Sequence, residues 1–296
     1  MADTVSVHGV EISHPDKALW PDVTKADLAR YYAEVAEAML PHLRDRPISM
    51  QRFPDGIGRQ GFYEKKLPAH FPEWVEHVTV PTADGDQEQV VVSDARTLVY
   101  LAQQACVTPH PWLSRRSALD RPDLLVVDLD PQTDDLAPLR RGARIVGELF
   151  DDVGLVPFLR TTGSRGYHVT APLRPEEGFD EVRAFATDLA DLLAEREPGL
   201  FTRAARTADR GELVYLDVLR NGYGQTVVAP WAPRARPGAP VSTPIEWDEL
   251  SRVRPDGVDL AGARHRVADG RDPWAGMRRR ARGLARPRER LARLRG

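Results

Sequence analysis

Asp123-Leu-Leu-Val-Val-Asp128-Leu-Asp130-Pro131 is the stretch on which the reading of this chain turns. A short apolar run, Leu124 to Val127, ends in two carboxylates two residues apart. In a β-strand, residues i and i+2 point to the same face. Asp128 and Asp130 are therefore expected to project together at the strand end, before Pro131 interrupts the pattern. Two like charges that close repel unless a cation lies between them. The economical reading is a divalent-metal site of the kind that handles phosphates. The plain alternative is a strand that exits into a solvated acidic turn.

Composition sets the outer bounds. A chain of 296 residues holds one large domain or two intimate ones. Mean hydropathy is −0.43, and no run approaches the ~18–20 apolar residues that span a bilayer. Asp3, His8 and Glu11 stand where a signal peptide would need an apolar core, so a cytoplasmic protein is expected. The one cysteine, Cys106, excludes an internal disulfide and a cysteine-based zinc cluster, and its apolar surroundings suggest a buried structural thiol. The net charge of −3 does not advertise nucleic-acid binding, but its distribution is uneven. Lysine occurs only at 17, 25, 65 and 66; every other cation is arginine. The segment from Arg278 to Arg295 is strongly basic, with Leu284, Leu291 and Leu294 as a thin helical stripe. It reads as a solvated helix, with a DNA- or partner-binding arm as the alternative.

Along the chain, Thr24 caps a helix that Asp27 supports and Pro41 ends. Pro47 to Phe53 reads as a strand followed by a Pro54-Asp-Gly56 turn, and Val78 to Val92 as a hairpin through Asp84-Gly85. Ser93 to Ala105, Asp134 to Val153 and Phe179 to Glu195 read as helices. Val156 to Arg160, Tyr167 to Ala171, Leu213 to Leu219 and Thr226 to Pro230 read as strands, and Arg236 to Pro240 as an extended, linker-like segment. Strands and helices mix without strict βαβ alternation, which favours an α+β fold.

Three further segments fit phosphate chemistry. Thr161-Thr-Gly-Ser-Arg-Gly-Tyr-His168 is a glycine turn whose backbone N–H groups can nest an anion, with hydroxyls from Thr162 and Ser164 and charge from Arg165. An ordinary β-turn explains the glycines equally well. Leu213-Val-Tyr-Leu-Asp217-Val-Leu-Arg220-Asn221 is another apolar strand with one carboxylate inside. A buried Asp is costly unless paired or metal-bound, which makes Asp217 a natural third ligand. Arg210 before it and Arg234 after it can take up phosphate charge, although surface ion pairs would account for each singly.

Taken together these residues resemble the polymerase domain of bacterial ligase D, of the archaeo-eukaryotic primase superfamily. The resemblance runs from about His14 to Leu250. It rests on His14-Pro-Asp-Lys17, Gln51-Arg-Phe-Pro-Asp-Gly56, Gly61-Phe-Tyr63, His110-Pro-Trp-Leu-Ser114, Asp128-Leu-Asp-Pro131, Asp217-Val-Leu-Arg-Asn221 and the stretch from Val228 to Pro244. It implies a primase-polymerase catalytic fold, with mixed or antiparallel sheets flanked by helices over residues 1–260 and a basic tail over 261–296. It also implies a template-dependent nucleotidyltransferase that fills short gaps or extends ends in repair, favouring ribonucleotides. Asp128, Asp130 and Asp217 match the family's metal triad, implying two manganese or magnesium ions. His110, Thr162, Ser164, Arg165, His168, Arg210 and Arg234 fall in the nucleotide-binding set. Lys17 and Lys25 match residues that hold a downstream 5′-phosphate, and Phe62 and Tyr63 match aromatics that stack on template bases; Lys65 and Lys66 join this DNA-binding set. The implied partners are gapped or end DNA, ribo- or deoxyribonucleoside triphosphates, Ku and an ATP-dependent DNA ligase, for a monomer associated with the nucleoid and not with a membrane. No Lys-x-Asp-Gly motif is present, so no ligase centre is expected within these residues.

The chain departs from the family pattern at Thr162-Gly-Ser-Arg-Gly-Tyr-His168, where relatives usually carry Ser-Gly-Gly-Lys-Gly-x-His. Arg206 stands near a position where many relatives carry Lys. Two other classes of function fit parts of the sequence. A non-catalytic DNA-end scaffold would use the lysines and aromatics alone. An Asp-x-Asp phosphohydrolase would need a downstream Lys, and no Lys follows Lys66.

Overall fold

The apolar run around Asp128 forms a strand because both its faces find cover. In the computed structural model, which describes residues 3–295, Leu124–Asp130 is the central strand of a six-stranded sheet. The principal elements of this α+β fold are, in chain order, α1 (Lys25–Leu43), β1 (Ile48–Arg52), β2 (Phe62–Glu64), α2 (Ala95–Gln103), β3 (Cys106–Pro111), β4 (Leu124–Asp130), α3 (Leu136–Val153), β5 (Phe158–Thr161), β6 (Tyr167–Pro172), α4 (Phe179–Arg196), β7 (Phe201–Thr202), β8 (Val214–Asp217), β9 (Pro244–Ile245), α5 (Leu260–Ala268) and α6 (Ala285–Arg295). They divide into two compact units. The first holds residues 1–117, 226–243 and 258–272, and the second holds 118–225, 244–257 and 273–296.

The second unit is built on the sheet order β7-β8-β4-β6-β5-β9, antiparallel at every pairing except β7 with β8. Strand alternation sorts its residues cleanly. Leu125, Val127 and Leu129, with Val169, Leu159 and Leu216 beside them, form one face and pack in a core with Val146 and Phe150 of α3 and Phe185 and Leu189 of α4. Asp128 and Asp130 occupy the other face. Asp135 caps α3 by accepting from Ala137 N–H, and Gly154 closes it in the left-handed region. Asn221, fully buried, accepts from Val126 N–H at 2.9 Å and donates to Val126 O at 2.7 Å and to Val218 O at 2.9 Å, which ties the segment after β8 to β4.

In the first unit, β1 lies between β2 and β3. Ile48 and Met50 enter a core with Leu28, Tyr32 and Val35 of α1 and Leu98 and Leu101 of α2. Thr24 and Asp27 form a reciprocal capping box at the start of α1.

Several local expectations are corrected. Pro41 lies inside α1, which continues to Leu43. Pro41 forgoes the one bond its N–H would make to Glu37 O, and burial of Leu43 in the core offsets that cost. Thr226 to Pro230 makes no strand: Val227 and Ala229 donate to the carbonyls of Pro111 and Pro109, but a proline has no N–H to return, so no ladder forms. Arg236 to Pro240 is a closed turn and no linker, with Ala239 N–H on Arg236 O and the Trp20 indole N–H on the same carbonyl. The basic C-terminal helix is not solvated all round. Leu284 and Leu291 are buried in the second unit's core, while Arg288 pairs with Glu177 and Arg295 with Asp188. The 261–296 segment itself is shared out, 261–272 to the first unit and 273–296 to the second.

Docking of α6 predicts that Leu291→Ala lowers stability by about 2–4 kcal/mol in urea unfolding. A solvated helix would give no measurable change.

Candidate active site

Register builds the site. Asp128 of β4 faces Asp217 of β8 on one side and His168 of β6 on the other. Asp130 faces Tyr215. One ligand oxygen from each of Asp128, Asp130 and Asp217 lies within 4.8 Å of the other two. Asp128 and Asp130, two residues apart on β4, and the lone carboxylate of β8, Asp217, thus meet at one point.

Each carboxylate has its own surroundings. Burial pushes Asp128 up, but the His168 contact and the Arg220 and Arg160 charges outweigh it and hold its carboxyl below the usual range. His168 Nε2 lies 3.2 Å from Asp128 Oδ2, whereas Asp128 Oδ1 is buried with no hydrogen-bond partner. Burial, then repulsion from Asp128 and Asp217, pushes Asp130 up to about 7. Asp217 Oδ1 accepts from Leu219 N–H at 2.8 Å, and its Oδ2 lies 3.7 Å from Arg220 Nε. An orphaned carboxylate oxygen, a carboxyl driven up by its neighbours and an all-oxygen donor set are what a hard divalent cation relieves. These residues fit magnesium or manganese.

The glycine turn stands next to the triad in the same sheet. Thr162 Oγ1 donates to Gly166 O at 2.9 Å and accepts from Gly166 N–H at 3.2 Å, closing the turn between β5 and β6. Gly163 adopts φ +63°. At Gly166 a Cβ would stand 2.1 Å from Leu129 O, so only glycine lets the turn lie this close to β4. Arg165 reaches across to donate to Pro131 O at 3.1 Å, and Ser164 lies half-buried beside it. Arg210 is held by the carbonyls of Ala204 and Ala205, both at 2.9 Å, and stacks 3.7 Å over the Tyr215 ring.

The remaining expected residues lie in the first unit. His110 is buried on β3, 5.3 Å edge-on from the ring of Tyr63 on β2. Tyr63 and Phe62 are 57% and 46% exposed, an uncommon state for large apolar rings, with the Arg52 guanidinium 5.6 Å from the Phe62 centroid. Lys65 and Lys66 are exposed, and Arg234 is half-buried. Lys17 and Lys25 come together because Lys25 N–H donates to Lys17 O at 2.8 Å. Lys25 Nζ donates to Ser13 O at 2.8 Å; burial and then Lys17 pull its ammonium down to about 8. A buried lysine at a helix start opposes the helix dipole. Cys106 is fully buried, and burial pushes its thiol up to about 12, in keeping with a structural thiol.

Two residues at the triad escaped the sequence argument. Arg160 sits in β5 and Arg220 three residues after Asp217. A single charge inside an apolar strand was the signal that found Asp217, and Phe158-Leu-Arg160-Thr carries the same signal.

A sheet that presents three clustered carboxylates beside a glycine turn belongs to metal-dependent phosphoryl-transfer proteins as a class. A family model described as LigD, primase-polymerase domain, matches residues 24–274. The multifunctional non-homologous end joining protein LigD of Pseudomonas aeruginosa is 33% identical over 282 residues, covering 93% of this chain and 33% of that protein. The multifunctional non-homologous end joining DNA repair protein LigD of Mycobacterium tuberculosis is 33% identical over 83% of this chain and 34% of its own length. The chain thus spans about a third of the length of these relatives. The solved polymerase domain of Mycobacterium tuberculosis ligase D, in complex with DNA, superposes with a TM-score of 0.86 at 30% identity, covering 92% of this chain and 99% of that one. The chain belongs to the LigD primase-polymerase domain family, a family of nucleotidyltransferases. Among the described residues, no helix is long and apolar enough to cross a membrane.

Charge crowding at the triad predicts opposite effects of one substitution. Asp130→Asn raises metal-free stability, by on the order of 1 kcal/mol near pH 8, and abolishes manganese-induced stabilisation. Thermal melts in EDTA and in manganese check both signs.

Proposed function

We propose that this domain is a gap-filling polymerase that extends a primer 3′-OH with nucleoside triphosphates, ribonucleotides preferred, during repair of DNA ends. The carboxylate cluster on one face of the sheet carries the reading, because a scaffold that only binds DNA has no use for three mutually repelling aspartates. Asp128, Asp130 and Asp217 would hold two divalent ions. Those ions supply Lewis acidity, lowering the pKa of the primer hydroxyl and balancing charge on the transferred phosphoryl group.

The other side chains bind and orient. Ser164 and the turn N–H groups face the phosphates as donors in the turn that Thr162 closes, while Arg165 and Arg210 neutralise them. His168 keeps its nucleotide-binding assignment from the family motif, with its Nε2 3.2 Å from Asp128 Oδ2. His110 and Arg234 carry their nucleotide-binding assignment from family motifs alone. Lys17 and Lys25 receive a downstream 5′-phosphate. Phe62 and Tyr63 stack on template bases, worth about 1–3 kcal/mol per base and tolerant of sequence. Lys65 and Lys66 add phosphate contacts whose strength falls with salt. The names of the relatives support a role in non-homologous end joining, and Ku and an ATP-dependent ligase are the partners to test.

Primer extension across a one- to three-nucleotide gap tests the proposal. Extension in manganese is expected to favour ribonucleotides, to increase when the downstream strand bears a 5′-phosphate, and to vanish in Asp130→Ala. The phosphate stimulation is expected to decline as pH rises through about 8, where Lys25 sheds its proton, and Lys25→Arg is expected to remove that decline. Phosphate-dependent binding without extension would turn the reading to an end-binding scaffold. Release of inorganic phosphate from small phosphoesters would turn it to a phosphohydrolase.

A further inference from the structure

The register that gathers the triad continues across two further strands. Asp217, Asp128, His168 and Arg160 stand side by side on β8, β4, β6 and β5. The last charged member of the row, before Pro244 of β9, is a cation that is almost wholly enclosed. Arg160 is 1% exposed, and its guanidinium carbon lies 5.6 Å from the ring centre of Trp274. Trp274 is fixed in turn by donating its indole N–H to Leu159 O at 3.0 Å. Enclosing a guanidinium is expensive unless it meets acceptors of fixed geometry. One of its contacts is to His168: Arg160 Nη2 lies 2.7 Å from His168 Nδ1.

Hydrogen-bond chemistry assigns the imidazole from both ends. A guanidinium has only donors, so Nδ1 must accept from Arg160. The ring N–H then sits on Nε2, the atom 3.2 Å from Asp128 Oδ2. The imidazole is clamped between a donor it cannot repel and a carboxylate that takes its proton-bearing side. Rotating the ring by 180° would replace both contacts with C–H groups.

We propose that Arg160 is a positioning residue. It locks the His168 ring so that Nε2 presents an N–H, and not a lone pair, at the end of the sheet where the triad lies. Two consequences follow. Asp128 Oδ2 is taken by His168, which leaves the unpartnered Oδ1 as the oxygen directed to a cation. With the ring fixed, the Asp128 carboxylate is fixed as well, so the metal ligand that a nucleotide's phosphates would share is oriented before they arrive. The arrangement repeats, around a carboxylate ligand, the outer contacts that orient histidines in metal sites. The second consequence rests on the nucleotide reading given under Proposed function; the ring assignment does not.

Nitrogen NMR on protein labelled in its histidines tests the assignment directly, with the His168 signals identified by their absence in His168→Gln. The wild type is expected to show Nδ1 as a bare acceptor and Nε2 as N–H. Arg160→Met is expected to abolish that fixed pattern and to raise the nucleotide KM about 10-fold, with a much smaller change in kcat. Arg160→Lys, which restores a donor, is expected to recover most of the loss. A wild-type ring with its proton on Nδ1 overturns the proposal. So does an Arg160→Met protein whose His168 signals and KM match wild type. If Arg160→Met does not fold, the wild-type spectrum and Arg160→Lys decide. A wild-type protein that extends no primer yet shows the expected ring pattern defeats the polymerase reading and leaves the positioning role standing.

Discussion

Repulsion among Asp128, Asp130 and Asp217 is the constraint around which the second unit is arranged. Three carboxylate oxygens within 4.8 Å are tolerable only if the backbone enforces the approach and cations lie at hand. The backbone does so through direct cross-strand pairing of Asp128 with Asp217. Asn221 reinforces it by holding both backbone groups of Val126. Fixed positive charge stands on either side, Arg220 beside Asp217 and Arg160 behind His168. Burial, with the repulsion these groups do not offset, raises the Asp130 carboxyl. A carboxyl raised within a cluster of like charges marks a functional site.

The sheet can carry that stress because its two faces do different work. The odd-numbered residues of β4 are sealed against α3 and α4, and α6 adds Leu291 to the same cluster. On the even-numbered face Val126 is covered, and Asp128 and Asp130 beyond it are left to chemistry. Apolar burial on one side stabilises the strands in the register that the charged side requires. A slip of one residue would carry the aspartates into the core.

Much of this was legible in the sequence because it is local. Asp128 and Asp130 share a face in any strand, Thr24 and Asp27 spell a capping box, and a lone Asp217 in an apolar strand demands a partner. The six-strand order was not legible, since antiparallel register between β4, β6 and β8 is a long-range property that no window of residues contains. Arg160 went unread for that reason: its meaning lies in standing opposite His168. The fate of Thr226 to Pro230 depended on Pro109 and Pro111, more than a hundred residues earlier. The arginine-rich C-terminal helix looked solvated because its acidic partners lie on α4 and the loop before it. In the first unit the exposed aromatics and paired lysines were read from motif resemblance, and their exposure and proximity are what periodicity alone could not supply.

Anomalous diffraction at the manganese edge, from crystals soaked with manganese and a non-hydrolysable nucleoside triphosphate, tests the central claim most directly. The account predicts two peaks among Asp128, Asp130 and Asp217, one of them within about 2.0–2.3 Å of Asp128 Oδ1. A protein that extends primers yet shows no peak at the triad would contradict it.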